Sequence, residues 1–280
     1  MKRFILSLTL AAFASTIFQP DADAWWDFGH KTITELAQRH LKPSTAARIE
    51  KVLGHEMTVD ASWFDDHRKD PELQYAYQWH NYIVDDNTGD LDPNWGFDGN
   101  NAVFGLGHIE ELLRNFDNLN LDNQKLVIRM VIHFMADAHC PAHCWYNKYG
   151  FHVQRWKYRL PGVVLSPKDG KDEISFHGFY DRMPEYNYPG KTPAEVAAIV
   201  DTAKKGVIKK IQKGCPQDWC REMIKDCRFI YGLYPPVAPY DGTVVIEISP
   251  DTFEKSKPLS DECLRRAGYR LAWWLNSYIK

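Results

Sequence analysis

The sequence predicts a mainly α-helical protein, and three observations carry that prediction. Apolar residues recur at three- and four-residue spacing through most of the chain, as they do where one face of a helix is buried. Strand-like patterning is confined to two short stretches, 155–160 and 244–248. The run Leu126-Val127-Ile128-Arg129-Met130-Val131-Ile132 reads as a buried helix. Apolar residues make up 44% of the 280, enough for a sizeable core.

The elements follow in order. Residues 30–41 carry Ile33, Leu36, Ala37 and Leu41 at helical spacing. Ser44 is expected to cap a second helix running to Leu53, where Gly54 stops it. Residues 59–68 read as a third helix, and the Asp-, Asn-, Gly- and Pro-rich 85–101 as a loop. Helices over 103–116 and 121–139 come next; Pro141 disfavours helical geometry at Cys140 and ends the second. The pattern breaks over 146–171. Residues 193–213 read as one long amphipathic helix and 217–231 as another. Prolines punctuate 233–258, and 259–279 closes the chain as a helix. With no repeat, low-complexity tract or linker, 25–280 is expected to be one domain.

Residues 1–24 read differently. Lys2-Arg3, an apolar run over 4–18 and the small-residue pattern Ala22-Asp23-Ala24 make a secretory signal peptide. The apolar run is too short to anchor a mature chain across a bilayer. The mature protein is expected to begin at Trp25 and to be secreted or periplasmic. Six cysteines in an exported chain suggest bridges, with Cys215–Cys220 and Cys227–Cys263 as pairs expected from proximity and helix placement. Cys140 and Cys144 flank His143 and are read as a bridge or free thiols in preference to metal ligands. A net charge of -3 gives no global field for a polyanion, so any such attraction is local.

The chemistry gathers where the apolar helix ends. His133 and Asp137 are four apart and share a helix face, and His143 lies just past the Pro141 break. His177 and Asp181 repeat that spacing. Asp65 sits on the apolar side of its helix, His80 lies in Trp79-His80-Asn81-Tyr82, and His30 comes five residues after Trp25, whose freed amine could also bind metal. Five imidazoles and three carboxylates suffice for three ions if one carboxylate bridges, leaving about +3 before water ionises. Such a centre suits a phosphate ester.

In order along the chain stand Trp25-x-x-x-Gly29-His30, Ala61-Ser62-Trp63-x-Asp65-x-x-Arg68, the His80 segment, His133-Phe134-x-x-Asp137-x-x-x-Pro141-x-His143 and His177-x-x-x-Asp181. Together they resemble the secreted three-zinc, single-strand-specific nucleases of the S-one/P-one type, over essentially the whole mature chain. The resemblance implies the phospholipase C/nuclease-type helical fold, with three zinc ions (Zn2+) at the bottom of a cleft. It implies one zinc on Asp65, His80, His133 and Asp137, a second on His143, His177 and Asp181, and a third on the Trp25 amine and carbonyl, His30 and a bridging Asp137. It implies an endonuclease on single-stranded DNA or RNA that attacks with a zinc-held hydroxide and leaves 5′-phosphates, with 3′-nucleotidase activity beside it. Asp65 would orient the water, and Arg68, at i+3, would meet the developing charge.

The chain departs from that family where the family carries a Gly-Gly-Asn turn: it reads Asn147-Lys148-Tyr149-Gly150, and Ser175-Phe176-His177 stands where Asn-Leu-His is usual. Between them, Arg155-Trp156-Lys157-Tyr158-Arg159-Leu160 alternates as a strand with cations on one face. It is read either as a hairpin packed on the helices or as a single-strand groove using Arg155 and Trp156. Tyr82 and Asp85 are the other expected substrate-binding residues. His67 and His139 are expected to orient ligands. A zinc-dependent phospholipase C, docking this insert on a membrane phospholipid surface, is the nearest alternative, although its final ligand is typically Glu where this chain has Asp181. A non-catalytic metal-binding protein is the third reading.

Overall fold

The computed structural model describes residues 26–85, 87–92, 100–146, 157–165, 170–234 and 244–280. The signal-peptide reading, Trp25, Arg155 and Trp156 lie outside the described residues.

The described fold is mainly helical, with five three-residue strands. Helix α1 (Trp26–Gln38) begins four residues earlier than its apolar pattern, because Asp27 favours the helix N-terminus and pairs with Lys31 one turn on. Helix α2 (Pro43–Leu53) uses Pro43 at its first position, so Lys42 and not Ser44 is the cap; Gly54 ends it with φ +85°, a conformation that suits glycine. The expected third helix is split into a 3-10 turn (Met57–Asp60) and α3 (Trp63–His67). Asp60 explains the split. It is buried, and its carboxylate accepts from Arg129 at 3.0 Å, while the Arg129 guanidinium lies over Trp63 at 4.4 Å. That pair straps α3 onto the helix that carries His133.

A ten-residue 3-10 segment (Pro71–His80) has no counterpart in the sequence reading. Packing holds it. Trp79 is buried against Phe134, and a Cβ at Gly105 would overlap the Trp79 indole. Strand β1 (Tyr82–Val84) follows, then α4 (Ala102–Arg114), capped by Asn101, and α5 (Leu121–Asp137), capped by Asn120. Helix α5 stops two residues earlier than expected; a 3-10 turn (Pro141–His143) leads into β2 (Cys144–Tyr146). Strands β1 and β2 pair in parallel with Tyr82 opposite Cys144, which brings the His80 and His143 segments side by side.

Strands β3 (Lys157–Arg159), β4 (Glu173–Ser175) and β5 (Val245–Glu247) form a small sheet with β3 in the middle, antiparallel to β4 and parallel to β5. Helices α6 (Phe176–Asp181) and α7 (Met183–Asn187) come directly after β4. The expected long helix over 193–213 is two, α8 (Pro193–Val200) and α9 (Lys205–Ile211). Asp201 breaks it: its carboxylate accepts from Arg39, His40 and Tyr269 and is held out of helical register. Burial alone would raise the Asp201 carboxyl, but those hydrogen bonds outweigh it and hold the group below its usual range.

Helix α10 (Pro216–Leu233) precedes α11 (Pro250–Tyr278), which runs through Pro258 instead of starting after it. The Ser249 cap and the buried Ser256, bonded to Tyr234 and to the Phe253 carbonyl, anchor the turns before that proline. Helices α1, α5 and α11 pack on one another at the centre of the core.

The six cysteines are free, which corrects the expected bridges. The exposed Cys215 contacts Asp218 at the start of α10, while Cys220 is buried further along it. Cys227 turns its sulfur to the Cys144 and Pro141 carbonyls, 3.2 and 3.4 Å away, in place of Cys263.

Candidate metal centre

Five separate segments bring their polar side chains to one buried point. Helix α1 supplies His30, whose ring stacks on His133 with centroids 4.5 Å apart. Helix α3 supplies Asp65, next to Phe64, which packs on both His133 and Phe134. The 3-10 segment supplies His80. Helix α5 and the turn after it supply His133, Asp137 and His143. Helix α6, capped by the Ser175 hydroxyl, supplies His177 and Asp181 one turn apart.

Asp137 is the hub. Its Oδ2 lies 2.7 Å from His80 Nδ1 and 3.1 Å from His133 Nε2; its Oδ1 lies 3.4 Å from His30 Nε2 and 3.8 Å from His143 Nε2. Asp65 closes one end, at 3.6 Å from His133 and 4.0 Å from His30. Asp181 closes the other, at 3.7 Å from His143 and 3.2 Å from His177. His177 is the outermost member, with 27% of its side chain exposed where Asp137 has none, so the centre opens to solvent on that side.

Ring orientation is set from outside the cluster. His143 Nδ1–H donates to the His80 carbonyl at 2.9 Å, which turns Nε2 toward Asp181 and Asp137. Burial alone would lower the His143 pKa, yet Asp137 and Asp181 outweigh it and push it up to about 9. Burial would raise Asp137, but positive His133 and His143 hold it well below the carboxylate range.

The residues fit metal ions. Among the atoms that face one another here, His30 Nε2, both oxygens of Asp65 and Asp137 Oδ1 are buried without a hydrogen-bond partner. Buried polar atoms are rarely left so, and a bound ion is one of the few explanations. Among the described residues, three triads bring one donor atom per residue within 4.8 Å of each other: His30–His133–Asp137, Asp65–His80–His133 and Cys140–His143–Asp181. Imidazole and carboxylate donors at this spacing suit first-row divalent ions.

Of the expected substrate residues, Tyr82 and Asp85 are among those described. Tyr82 is buried beside Cys144 and Cys220, in a strand whose three residues are all buried. The Asp85 carboxylate accepts from the Asn87 amide and the Thr88 hydroxyl and so closes its own turn. Arg68 reaches Asp65, at 3.7 Å. His139 is not a partner of the cluster: it bonds the Met135 carbonyl and Arg270. His67 stacks on Trp63 and bonds its carbonyl. Cys140 is the residue that sequence reasoning set aside; its sulfur lies 3.2 Å from Asp181 Oδ1. Its position between Asp137 and His143 was the available signal.

A helical protein with a buried, multi-carboxylate histidine centre open on one side is the class that these features define. The S1/P1 nuclease family model matches residues 25–280, and the chain belongs to that family. It is similar to Nuclease S1 of Aspergillus oryzae (strain ATCC 42149 / RIB 40), at 22% identity over 273 residues, covering 90% of this chain and 91% of that one.

Proposed function

We propose that the protein is an exported, zinc-dependent phosphodiesterase that cleaves single-stranded nucleic acid and leaves 5′-phosphates. Convergence of eight side chains from five segments on one buried centre carries this reading, and membership of a nuclease family supports it. Asp65, His80, His133 and Asp137 would hold one zinc, His143, His177 and Asp181 a second, and Trp25, His30 and Asp137 a third. Bound there, the ions would lower the pKa of water and neutralise phosphate charge.

The chain's own residues do the rest. Asp65, which has oxygens without hydrogen-bond partners, accepts from the attacking water and aligns it on phosphorus. Arg68, partly exposed beside Asp65, offers its N–H groups to phosphate oxygens as their charge grows. His177 borders the solvent side where a strand would enter. Export is supported by the leader over 1–24, and the family match starts at residue 25.

The described part of the basic insert gives a membrane surface little to hold. Lys157 pairs with Glu173, and Arg159 meets Asp172, Glu173 and Glu247. Parallel assays on single-stranded DNA, single-stranded RNA and phosphatidylcholine, with and without a chelator, test the proposal. Chelator-sensitive cleavage of the oligonucleotides is expected. Cleavage of the lipid alone, or cleavage that survives chelation, would overturn it.

A further inference from the structure

We propose that Cys140 is a sulfur ligand of the ion held at the His143–Asp181 end of the centre, which makes that position a mixed nitrogen, oxygen and sulfur site. The inference rests on the metal-centre reading above and deepens it. Cys140 is fully buried, and Sγ stands 3.2 Å from Asp181 Oδ1. With His143 and Asp181 it forms a triad whose donor atoms all lie within 4.8 Å.

Three features favour a ligand over a buried thiol at rest. As a hydrogen bond the contact is weak, because S–H is a poor donor. As two ligands of one tetrahedral ion, a sulfur at 2.3 Å and a carboxylate oxygen near 2.0 Å stand about 3.5 Å apart, close to the observed separation. The backbone also winds about the site: the Cys140 amide donates to the Asp137 carbonyl at 2.9 Å, and the His143 amide to the Cys140 carbonyl at 3.0 Å, so one turn presents all three side chains. A neighbouring atom points the same way, since Asp137 Oδ1 is buried, has no hydrogen-bond partner and lies 3.8 Å from His143 Nε2.

When the sulfur–metal bond forms, the thiol proton leaves to solvent and no redox change is needed. A thiolate selects zinc, cobalt and cadmium over magnesium, calcium and manganese. With Cys140, His143 and Asp181 as buried ligands, the partly exposed His177 becomes the exchangeable side of this ion.

Cobalt(II) tests this without reference to turnover. The stripped wild-type protein, reloaded with cobalt, should show a sulfur-to-cobalt charge-transfer band in the near ultraviolet beside the visible d–d bands. Cys140→Ser should lose the band and Cys144→Ser should keep it. Cadmium-113 resonances of the wild type decide the matter even if the variant does not fold, since one of them should carry the downfield shift of a thiolate ligand. Visible bands without the sulfur band, or a sulfur band that persists in Cys140→Ser, would overturn the proposal and leave the histidine–carboxylate centre standing. Failure to take up cobalt at all would overturn both.

Discussion

The turn after α5 and the β3–β4–β5 sheet are both rich in ionisable residues, and they end in opposite conditions. In the sheet, each cation of β3 has an acid from a neighbouring segment: Glu173 for Lys157, and Asp172, Glu173 and Glu247 for Arg159. These pairs lie at the surface, where an ion pair contributes about 0–1 kcal/mol and little else. Around the turn, Asp137 faces His30, His80, His133 and His143 in a fully buried space, and several of those atoms lack a hydrogen-bond partner. A folded chain tolerates such crowding when something else completes it. Charge that is already matched marks scaffold; buried donors still short of partners mark the site.

The largest test of that contrast is at Asp65. Asp65→Asn keeps the volume and removes the charge, and turnover on single-stranded DNA should fall on the order of 1,000-fold with the circular-dichroism spectrum unchanged. Near-wild-type turnover would remove Asp65 from the site.

Stability of the ion-free protein gives a smaller effect with a definite sign. The His143 pKa is raised to about 9 in the fold. Below its unfolded value of about 6.5, the group is protonated in both states, and pairing with Asp137 and Asp181 contributes fully. That contribution is lost as pH rises through about 9. Chelated protein should therefore lose about 2 kcal/mol of unfolding free energy between pH 6.5 and 9 by urea titration. His143→Gln should flatten the slope; a slope that persists would point to another group.

The smallest effect belongs to the sheet. Lys157→Gln and Arg159→Gln should each change stability by less than about 1 kcal/mol, and oligonucleotide KM by less than about threefold, because these cations are already paired. A tenfold rise in KM would return the insert to the substrate groove.

Much of this was legible in the sequence, for reasons that differ by residue. Spacing of four puts His133 with Asp137 and His177 with Asp181 on single helix faces, so helix geometry alone pairs them. Periodicity also announced the helical class. What stayed hidden depends on contacts between distant residues. The 3-10 run to His80 exists because Trp79 fills the space left by Gly105, and the break at Asp201 because Arg39, His40 and Tyr269 pull its carboxylate away. Neither leaves a local mark in the sequence. Nearness to His80 along the chain likewise does not say where Tyr82 and Asp85 turn: Tyr82 is buried, and the Asp85 carboxylate closes its own turn. The alternation of Lys157, Tyr158 and Arg159 did foretell a strand with a buried Tyr158, but not the acids that meet its cations.

Zinc-edge anomalous diffraction from crystals of the purified protein looks for the ions themselves. Three peaks are expected, each within bonding distance of donors from the set His30, Asp65, His80, His133, Asp137, His143, His177 and Asp181. An active protein whose crystals hold no metal between His133, Asp137 and Asp65 would contradict the metal-centre reading.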